Sequence, residues 1–315
     1  MKVRHLFNLG RYRRAQRIFC HPLRVHWHVA IAKHNALDAD LLSGGRLRIA
    51  DVRQCRAMFD WLLEQSADPY PIIVEDDMVV FSHKDNRVSL RANGTDFLVF
   101  KEIYADDVYR IGMLGNTLGT VMDIGANVGL FALRVAPLAA RVISVEPVSG
   151  NLAMIRRNIE RANLSDKVSL HHRAVTGLSG KTVKIYLSNE NHGGNSISEE
   201  RAAEWGSAGY ETVATISLAD LFANERIERC HILKCDTEGA EYDIFLNAPL
   251  ETLKRIDRIL MEIHLDSQDR EQQQFKKLYA RLEAAGFAID HEPLVDSQGR
   301  SKRVLMLFAD RDKLR

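Results

Sequence analysis

The sequence has few cysteines, and none of them belongs to a paired motif. Cys20, Cys55, Cys230 and Cys235 are scattered through 315 residues without a Cys-x-x-Cys spacing. This pattern argues against a disulfide framework and against a structural zinc site. Reduced thiols are typical of a cytoplasmic protein, and we expect that location.

Long apolar runs are also missing. The sequence contains no run of about eighteen apolar residues, the length that a transmembrane helix needs, so we expect no such helix. The basic N-terminus has no continuous apolar core of the signal-peptide kind. The composition is otherwise that of a globular protein, with 46% hydrophobic and 27% charged residues and a net charge of +1. Its length suits one large domain plus an appendage.

Acidic residues are absent from positions 1–37, where eight lysines and arginines alternate with apolar residues at roughly helical spacing. Such a basic amphipathic helix can lie on an anionic membrane surface, here the inner face of the membrane. The alternative is a solvated helix packed on the main domain. The sequence does not indicate an oligomeric state.

The chain changes pattern twice. Residues 1–70 are predicted to be a basic, mainly helical extension, with an apolar stripe of helical period over Arg46–Gln65. A second, larger domain is predicted over 71–315. Its lead-in, 71–118, has short apolar runs at Pro71–Phe81 and Phe97–Ile103 that favour small strands.

From residue 119 to the end, strand patterns alternate with helix patterns, which predicts an α/β fold with a mainly parallel sheet covered on both faces. Strands are predicted at 121–124, 141–145, 168–170, 182–186, 213–216, 232–235, 256–263, 287–290 and 304–308, and helices at 128–137, 149–163, 241–246 and 267–285.

The most informative segment is a strand that ends in a glycine-rich turn. Asp123 ends the strand, and Gly125, Asn127 and Gly129 follow in a Gly-x-Asn-x-Gly spacing. Glu146 ends the next predicted strand, 23 residues after Asp123. In doubly wound sheets, ligands bind at the carboxyl ends of the strands. An acid at the end of the second strand, such as Glu146, accepts hydrogen bonds from a ribose diol. The third glycine of the dinucleotide motif is absent.

Asp123 suits a cationic ligand group better than a phosphate, or it orders the amides of its own loop. S-adenosylmethionine carries an ammonium, a sulfonium and an adenosine but no phosphate. We therefore predict S-adenosylmethionine as the cofactor. Asp123, Gly125, Asn127, Gly129 and Glu146 are its predicted binding residues.

Three motifs together make the chain resemble the FkbM-type family of S-adenosylmethionine-dependent methyltransferases. They are Asp-Ile-Gly-Ala-Asn-Val-Gly at 123–129, Val-Glu-Pro at 145–147 and Leu-Lys-Cys-Asp-Thr-Glu-Gly-Ala-Glu at 233–241. The resemblance covers about two thirds of the chain. It implies a Rossmann-like, seven-stranded methyltransferase sheet whose last strand is antiparallel. It also implies methylation, mostly of hydroxyl oxygens, and places Ala174 beside the adenine. Cys235 departs mildly from the family's usual aliphatic residue.

Candidate catalytic residues follow the fourth and fifth core strands. Asp236 and Glu238 come after 232–235, and Glu262 and His264 end 256–263 on one face. His264 is a natural general base, since its ordinary pKa is about 6.5. The alternative is a structural Glu262–His264 pair. Lys234 is expected to pair with a neighbouring acid, and Glu241 to favour a helix N-terminus.

Two further features stay open at the sequence level. Asp236, Glu238 and Glu262 offer oxygen ligands for a metal, although we predict no metal site. The polar loop 188–196 either closes over the methyl acceptor, with His192, Asn195 and Ser196 contacting it, or is a plain surface loop.

The sequence thus predicts O-methylation of a sugar, glycan or small-metabolite hydroxyl by an S-adenosylmethionine-dependent enzyme. Nucleic acid is not expected as a partner, because no basic aromatic groove accompanies the motifs. The alternatives are an NAD-dependent Rossmann oxidoreductase and a catalytically silent binding protein of methyltransferase fold.

Overall fold

The computed structural model describes residues 9–31, 36–50, 52, 55–64, 72–76, 78–83, 86–115, 117–188, 194–199, 207–265, 269–295 and 301–311. The chain divides into two compact units, Met1–Ala105 with Glu190–Gly193 and Asp106–Asn189 with Gly194–Arg315. The first unit includes residues 71–105, which the sequence analysis assigned to the lead-in of the second domain.

The first unit combines helices with short antiparallel strands. Its elements are α1 (Leu9–Ile18), α2 (Pro22–Ile31), β1 (Leu37–Asp40), β2 (Arg46–Ile49), α3 (Arg56–Glu64), β3 (Ile72–Glu75), β4 (Met78–His83), β5 (Asn86–Arg91) and α4 (Asp96–Phe100). β1 pairs with β2, and β3, β4 and β5 form a three-stranded sheet.

The single helical stripe predicted over 46–65 is wrong. β2 alternates exposed arginines with the buried side chains of Leu47 and Ile49, which is the period of a strand. The helix itself begins only at Arg56. The two periods overlap in this stretch because β2 has only four residues, about one helical turn, and the helix follows soon after it.

The strand predicted at Phe97–Ile103 is also wrong. This segment is α4, continued by a π-helical turn at Lys101–Ala105. Phe97, Phe100 and Tyr104 follow one another at helical spacing and are all buried, and the rings of Phe100 and Tyr104 stack with centroids 5.0 Å apart. A short apolar run fits both periods, and the packing of the rings selects the helix.

The second unit contains a seven-stranded sheet. Its elements are β6 (Leu118–Ile124), α5 (Leu130–Val135), β7 (Ala139–Val145), α6 (Ser149–Arg161), β8 (Val168–His171), β9 (Ala174–Thr176), β10 (Thr182–Ser188), β11 (Ser207–Ser217), α7 (Leu218–Asn224), β12 (Cys230–Cys235), α8 (Glu241–Asn247), α9 (Leu250–Leu253), β13 (Ile256–His264), α10 (Asp269–Ala284), β14 (Ala288–Val295) and β15 (Ser301–Asp310).

The strand order is β14-β15-β13-β12-β6-β7-β8. Strands β13, β12, β6, β7 and β8 are parallel, whereas β15 runs antiparallel between β13 and β14. The predicted Rossmann-like sheet with an antiparallel last strand is therefore confirmed. β9, β10 and β11 form a separate small sheet.

The order of the strands locates the candidate site. β6 is flanked by β7, the next strand in the chain, and by β12, which the chain reaches only after it has passed through β7 and β8 on the other side, so the strand order reverses at β6. The carboxyl ends of strands at such a switch point form a crevice for ligands. The central strands are almost continuously apolar and buried, as expected of a parallel sheet covered on both faces.

Among the described helices, none combines the length and the apolar character needed to cross a membrane.

Candidate active site

The glycine-rich turn after β6 has a backbone that few residues other than glycine adopt. Gly125 and Gly129 have φ angles of 73° and 84°, and Asn127 between them has 51°. A Cβ atom at Gly125 would lie 1.7 Å from the carbonyl oxygen of Asp236. The turn is therefore pressed against the end of β12, and glycine at position 125 is a steric requirement.

The turn's own amides are satisfied by the neighbouring strand. The N–H groups of Gly125 and Ala126 both donate to the carbonyl of Val145, at 3.0 and 3.1 Å. Asp123 is thus not needed to order these amides, which leaves its carboxylate for a ligand or a cation.

Glu146 lies at the end of β7 and is buried. Its carboxylate accepts hydrogen bonds from the backbone N–H groups of Asn127 and Val148 and from the side chain of Asn151, at 2.8, 3.0 and 3.2 Å. Burial raises the pKa of Glu146 to about 7, although these three donors act in the opposite direction. Its orientation is therefore fixed by protein groups before any ligand arrives.

Asp123 and Lys234 form a buried ion pair on adjacent strands. Lys234 Nζ lies 3.4 Å from Asp123 Oδ1 and 3.6 Å from Asp236 Oδ2, and it donates to the carbonyl of Gly125 at 2.7 Å. Burial raises the pKa of Asp123. Burial opposes the charge of Lys234 too, but Asp123, Asp236 and Glu262 together raise its pKa. The expected pairing of Lys234 is confirmed.

Several buried acceptors at this edge lack a donor. Among the described residues, Oδ1 of Asn127 has no donor, and the carboxylate of Asp123 has no hydrogen bond of ordinary geometry, although the Lys234 ammonium and the Ala132 N–H lie near enough to lower its pKa. Buried acceptors without donors are costly unless a ligand supplies them. An ammonium group and ribose hydroxyls are donors of the right kind. The residues present therefore fit S-adenosylmethionine.

Ala174 begins β9 and is buried in a small apolar cluster with Val148, Ile185 and Val213. Val148 follows directly after Glu146 and Pro147 in the chain. The cluster therefore adjoins the segment of Glu146, the candidate residue for binding the ribose diol. The role of Ala174 beside an adenine stays a prediction.

The candidate catalytic residues meet at the ends of β12 and β13. The hydroxyl of Tyr109 donates to Glu262 Oε1 at 2.7 Å and lies 3.5 Å from Asp236 Oδ2. The side chain of Asp236 is 28% exposed, whereas Lys234 beside it is buried. Asp236 is therefore partly accessible to a substrate in the crevice.

His264 is held between two carboxylates. Its Nδ1 lies 3.1 Å from Glu241 Oε1 and its Nε2 lies 3.2 Å from Glu238 Oε2. Burial disfavours the charged imidazolium, but Glu238 and Glu241 outweigh it and raise the pKa of His264 to about 10. At neutral pH both ring nitrogens therefore carry protons. This differs from the expected general base, which needs a free ring nitrogen.

Glu241 is the first residue of α8, as expected for an acid that favours a helix N-terminus. Its carboxylate accepts hydrogen bonds from the backbone N–H groups of Thr237 and Gly239. Burial alone would raise its pKa, but His264 and these donors lower it to about 2. Glu241 is thus an anion that holds His264 in place.

A metal would have to compete with existing contacts. Ligand atoms of Asp236, Glu262 and His264 lie within 4.8 Å of one another, so these residues could hold a cation. Both nitrogens of His264 are already engaged by Glu238 and Glu241, however, and Tyr109 donates to Glu262. The carboxylates of Asp236 and Glu262 are the more accessible oxygen ligands.

Two of the three predicted acceptor-loop residues can be located. Ser196 is buried, and its hydroxyl donates to the carbonyl of Glu238 at 2.6 Å. Asn195 Oδ1 accepts from the backbone N–H of Ser188 at 2.9 Å. His192 lies outside the described residues. Ser196 thus supports Glu238, whose φ of 53° is left-handed.

The sequence places Tyr104 and Tyr109 shortly before the cofactor strand and predicts core packing for them, with lining of the pocket as the alternative. The Tyr109 hydroxyl joins two of the candidate catalytic acids, yet its position 153 residues before Glu262 gives no local pattern. The hydrogen bond of Tyr109 to Glu262 is therefore a finding of the structure.

Comparison with known proteins identifies the family. The model of the methyltransferase FkbM domain matches residues 123–289, which is more than half of the chain. Methyltransferase 1 of Beauveria bassiana is 22% identical over 236 residues, which cover 69% of this chain and 89% of that protein.

The AMB antimetabolite synthetase AmbE of Pseudomonas aeruginosa is 28% identical over 216 residues, which cover 56% of this chain. The chain spans only 10% of that relative's length. A solved methyltransferase FkbM from Methylobacillus flagellatus KT is 14% identical with a TM-score of 0.42, covering 67% of this chain and 47% of that one. With its motifs inside the matched region, this chain belongs to the FkbM family of S-adenosylmethionine-dependent methyltransferases.

Proposed function

We propose that this methyltransferase transfers the methyl group of S-adenosylmethionine to a hydroxyl oxygen of a sugar, glycan or small metabolite. The observation that carries the proposal is the group formed by Asp236, Glu262 and the Tyr109 hydroxyl beside the Asp123–Lys234 pair. When bound, the cofactor supplies an electrophilic methyl group on a sulfonium.

Cofactor binding is assigned to residues on both sides of the glycine-rich turn. Asp123 would accept from the ammonium group and Glu146 from the ribose diol, because both are buried carboxylates at the switch point. Asn127 Oδ1 is a further acceptor without a donor among the described residues. Gly125 and Gly129 keep this edge free of Cβ atoms.

Asp236 is the proposed proton acceptor. A neutral hydroxyl must lose its proton as the new carbon–oxygen bond forms, and a carboxylate within hydrogen-bond distance can take it. Lys234 and Tyr109 hold the Asp236 carboxylate from two sides. Most of the rate enhancement would come from alignment of the nucleophile with the methyl group.

Several observations favour an uncharged polyhydroxyl acceptor. The site edge carries the carboxylates of Asp236, Glu238 and Glu262, which accept hydrogen bonds from hydroxyls and repel phosphates. A neutral amine already has a nucleophilic electron pair, so its methylation needs no general base to remove a proton as the bond forms. This acidic edge also disfavours nucleic acid as a substrate.

The test is methyl transfer from labelled S-adenosylmethionine to a panel of sugars, glycans and hydroxylated metabolites, with amines as the comparison. For the best acceptor, Asp236→Asn should lower kcat by about 10²–10⁴-fold, because it removes the base and keeps the size of the side chain. The dissociation constant for S-adenosylhomocysteine should change little. Asp290→Asn, at an exposed acid of β14, serves as the control.

Transfer to amines but to no hydroxyl would contradict the proposal, as would full turnover in Asp236→Asn. Dialysis against EDTA separates the metal-assisted alternative, since loss of activity restored by a divalent cation would assign Asp236 and Glu262 as metal ligands.

A further inference from the structure

The helix α2 presents large apolar side chains to solvent. Leu23 is 68% exposed and Trp27 is 56% exposed, and the two lie one helical turn apart on the same face. The opposite face is already used, because Val25 and Val29 are buried in the first unit. A surface tryptophan next to a surface leucine is not needed for the packing of this helix.

The same helix pair carries exposed positive charge. Arg13 and Arg17 lie one turn apart on α1, and Arg24 lies on α2 beside Leu23; all three are exposed. Residues 1–37 contain no acid. Arg11, by contrast, is buried and pairs with Asp60 at 2.5 Å, so it belongs to the fold of the unit.

Asp40, an acid near His21 and Arg24, is already paired with a cation. Arg46 Nε lies 2.7 Å from Asp40 Oδ1, and its hydrogen bond lowers the pKa of Asp40, with smaller effects from His21 and Arg24. Arg24 and His21 therefore face an acid whose charge is matched by Arg46.

A shallow groove joins the two helices. It has a volume of about 450 Å³ and is lined by Tyr12, Cys20, His21, Pro22, Leu23 and Arg24. The lining combines apolar side chains, such as Leu23 and Pro22, with the cationic side chain of Arg24. That combination suits the glycerol and phosphate region of a phospholipid, where both characters meet within a few ångströms.

We infer that the α1–α2 surface docks on an anionic phospholipid bilayer. Leu23 and Trp27 enter the interface at headgroup level, and Arg13, Arg17 and Arg24 contact the anionic headgroups. Tryptophan and leucine flanked by arginine are the side chains that stabilise interfacial binding, since the ring and the aliphatic chain leave water while the guanidinium stays solvated.

A second copy of the chain is a poorer occupant. A symmetric pairing through this surface would bring the exposed arginines of both copies together, and like charges at an interface oppose association. A bilayer that contains anionic lipid supplies the opposite charge.

The test is flotation of the full-length protein with vesicles of equal parts phosphatidylglycerol and phosphatidylcholine, and with vesicles of phosphatidylcholine alone. We expect binding to the anionic vesicles that weakens as salt is raised. The double variant Leu23→Ser with Trp27→Ser should lower the vesicle partition coefficient by about tenfold or more, because two apolar side chains no longer leave water. Arg13→Glu with Arg17→Glu should also lower it.

The matched control is Leu178→Ser, which alters an equally exposed leucine, 68% accessible, in the second unit. It should leave binding unchanged. An unchanged circular dichroism spectrum and thermal midpoint of each variant show that the first unit is folded, and retained S-adenosylhomocysteine binding keeps this result separate from the proposed methyl transfer.

Failure of the wild-type protein to float with anionic vesicles would overturn the inference. So would binding that depends on the arginines but not on Leu23 and Trp27, which would indicate a general polyanion surface. If sedimentation showed that the wild-type protein is a dimer and that the Leu23→Ser with Trp27→Ser variant is a monomer, the surface would be assigned to a second copy of the chain instead.

Discussion

At the scale of single residues, the protonation of Glu146 should control cofactor affinity. Burial raises its pKa to about 7, so near neutrality a fraction of the molecules carries a protonated Glu146. The ionised carboxylate can accept hydrogen bonds from both hydroxyls of a ribose diol, whereas the protonated form is a poorer acceptor. We expect binding of S-adenosylhomocysteine to strengthen as pH rises through about 7.

Calorimetric titration across a pH series measures this effect. In Glu146→Gln the pH dependence should vanish and affinity should fall by about tenfold or more, as for a lost charge-assisted hydrogen bond. Glu160→Gln, at an exposed acid of α6, should behave as wild type. An unchanged pH profile in Glu146→Gln would show that another group governs binding.

The residues that the sequence did not resolve are those defined by distant partners. His264 was expected to be a base because its ordinary pKa is near neutrality. The fold instead brings Glu238 and Glu241 to its two nitrogens. A side chain's pKa depends on such neighbours more than on its type, so a strand pattern indicates where His264 lies but not its charge.

At the scale of elements, Lys234 joins β12 to β6 and to the glycine-rich turn. It pairs with Asp123 and Asp236 and donates to the Gly125 carbonyl. Lys234→Met would leave Asp123 buried without its cation, and losing one partner of a buried pair costs about 3–5 kcal/mol in the free energy of unfolding. Urea denaturation measures the loss.

Lys254→Met is the matched control, because Lys254 forms an exposed pair with Glu251 at 2.9 Å. Removing an exposed pair should cost about 1 kcal/mol or less. The double variant Asp123→Asn with Lys234→Met should recover part of the stability, since it removes both charges. Equal midpoints for Lys234→Met and Lys254→Met would mean that the Asp123–Lys234 pair is not important for stability.

Helices and strands could be predicted from the sequence where one hydrophobic periodicity, that of a helix or that of a strand, is clear. The core strands were found because each is a nearly continuous apolar run between turns, as in β6 and β12. β2 and α4 were assigned wrongly because runs of four or five residues satisfy both periods. Residues of the site were found where they follow a strand end, whereas Tyr109 was expected to pack in the core or to line the pocket, and its hydrogen bond to Glu262 has no local signal in the sequence.

At the scale of the whole molecule, the buried titratable groups predict how stability varies with pH. The pKa of Glu241 is lowered from 4.5 to about 2. Its stabilising contribution to the free energy of unfolding is therefore present above pH 4.5 and is lost as the pH falls towards 2. The pKa of Glu146 is raised from 4.5 to about 7, so its contribution is present below 4.5 and is lost as pH rises through 7. Burial also raises the pKa of Asp123, so its contribution to stability is likewise lost as the pH rises.

His264 adds a larger alkaline effect. Its pKa is raised from 6.5 to about 10, so its contribution is complete below 6.5 and is lost as pH rises through 10. The urea midpoint should therefore be highest near pH 4.5, should fall as pH rises towards 7 because of Glu146, and should fall further between 6.5 and 10 because of His264. Urea denaturation over a pH series, with intrinsic fluorescence as the probe, gives the profile.

The variant His264→Gln separates this effect from the others, because glutamine can donate one hydrogen bond but cannot titrate. We expect a lower midpoint in acid and a much flatter profile between pH 6.5 and 10. His172→Gln, at an exposed histidine, should keep the slope of the wild type. If His264→Gln and the wild type lost stability in parallel across this range, the Glu238–His264–Glu241 ion pairs would not be the source of the alkaline limb.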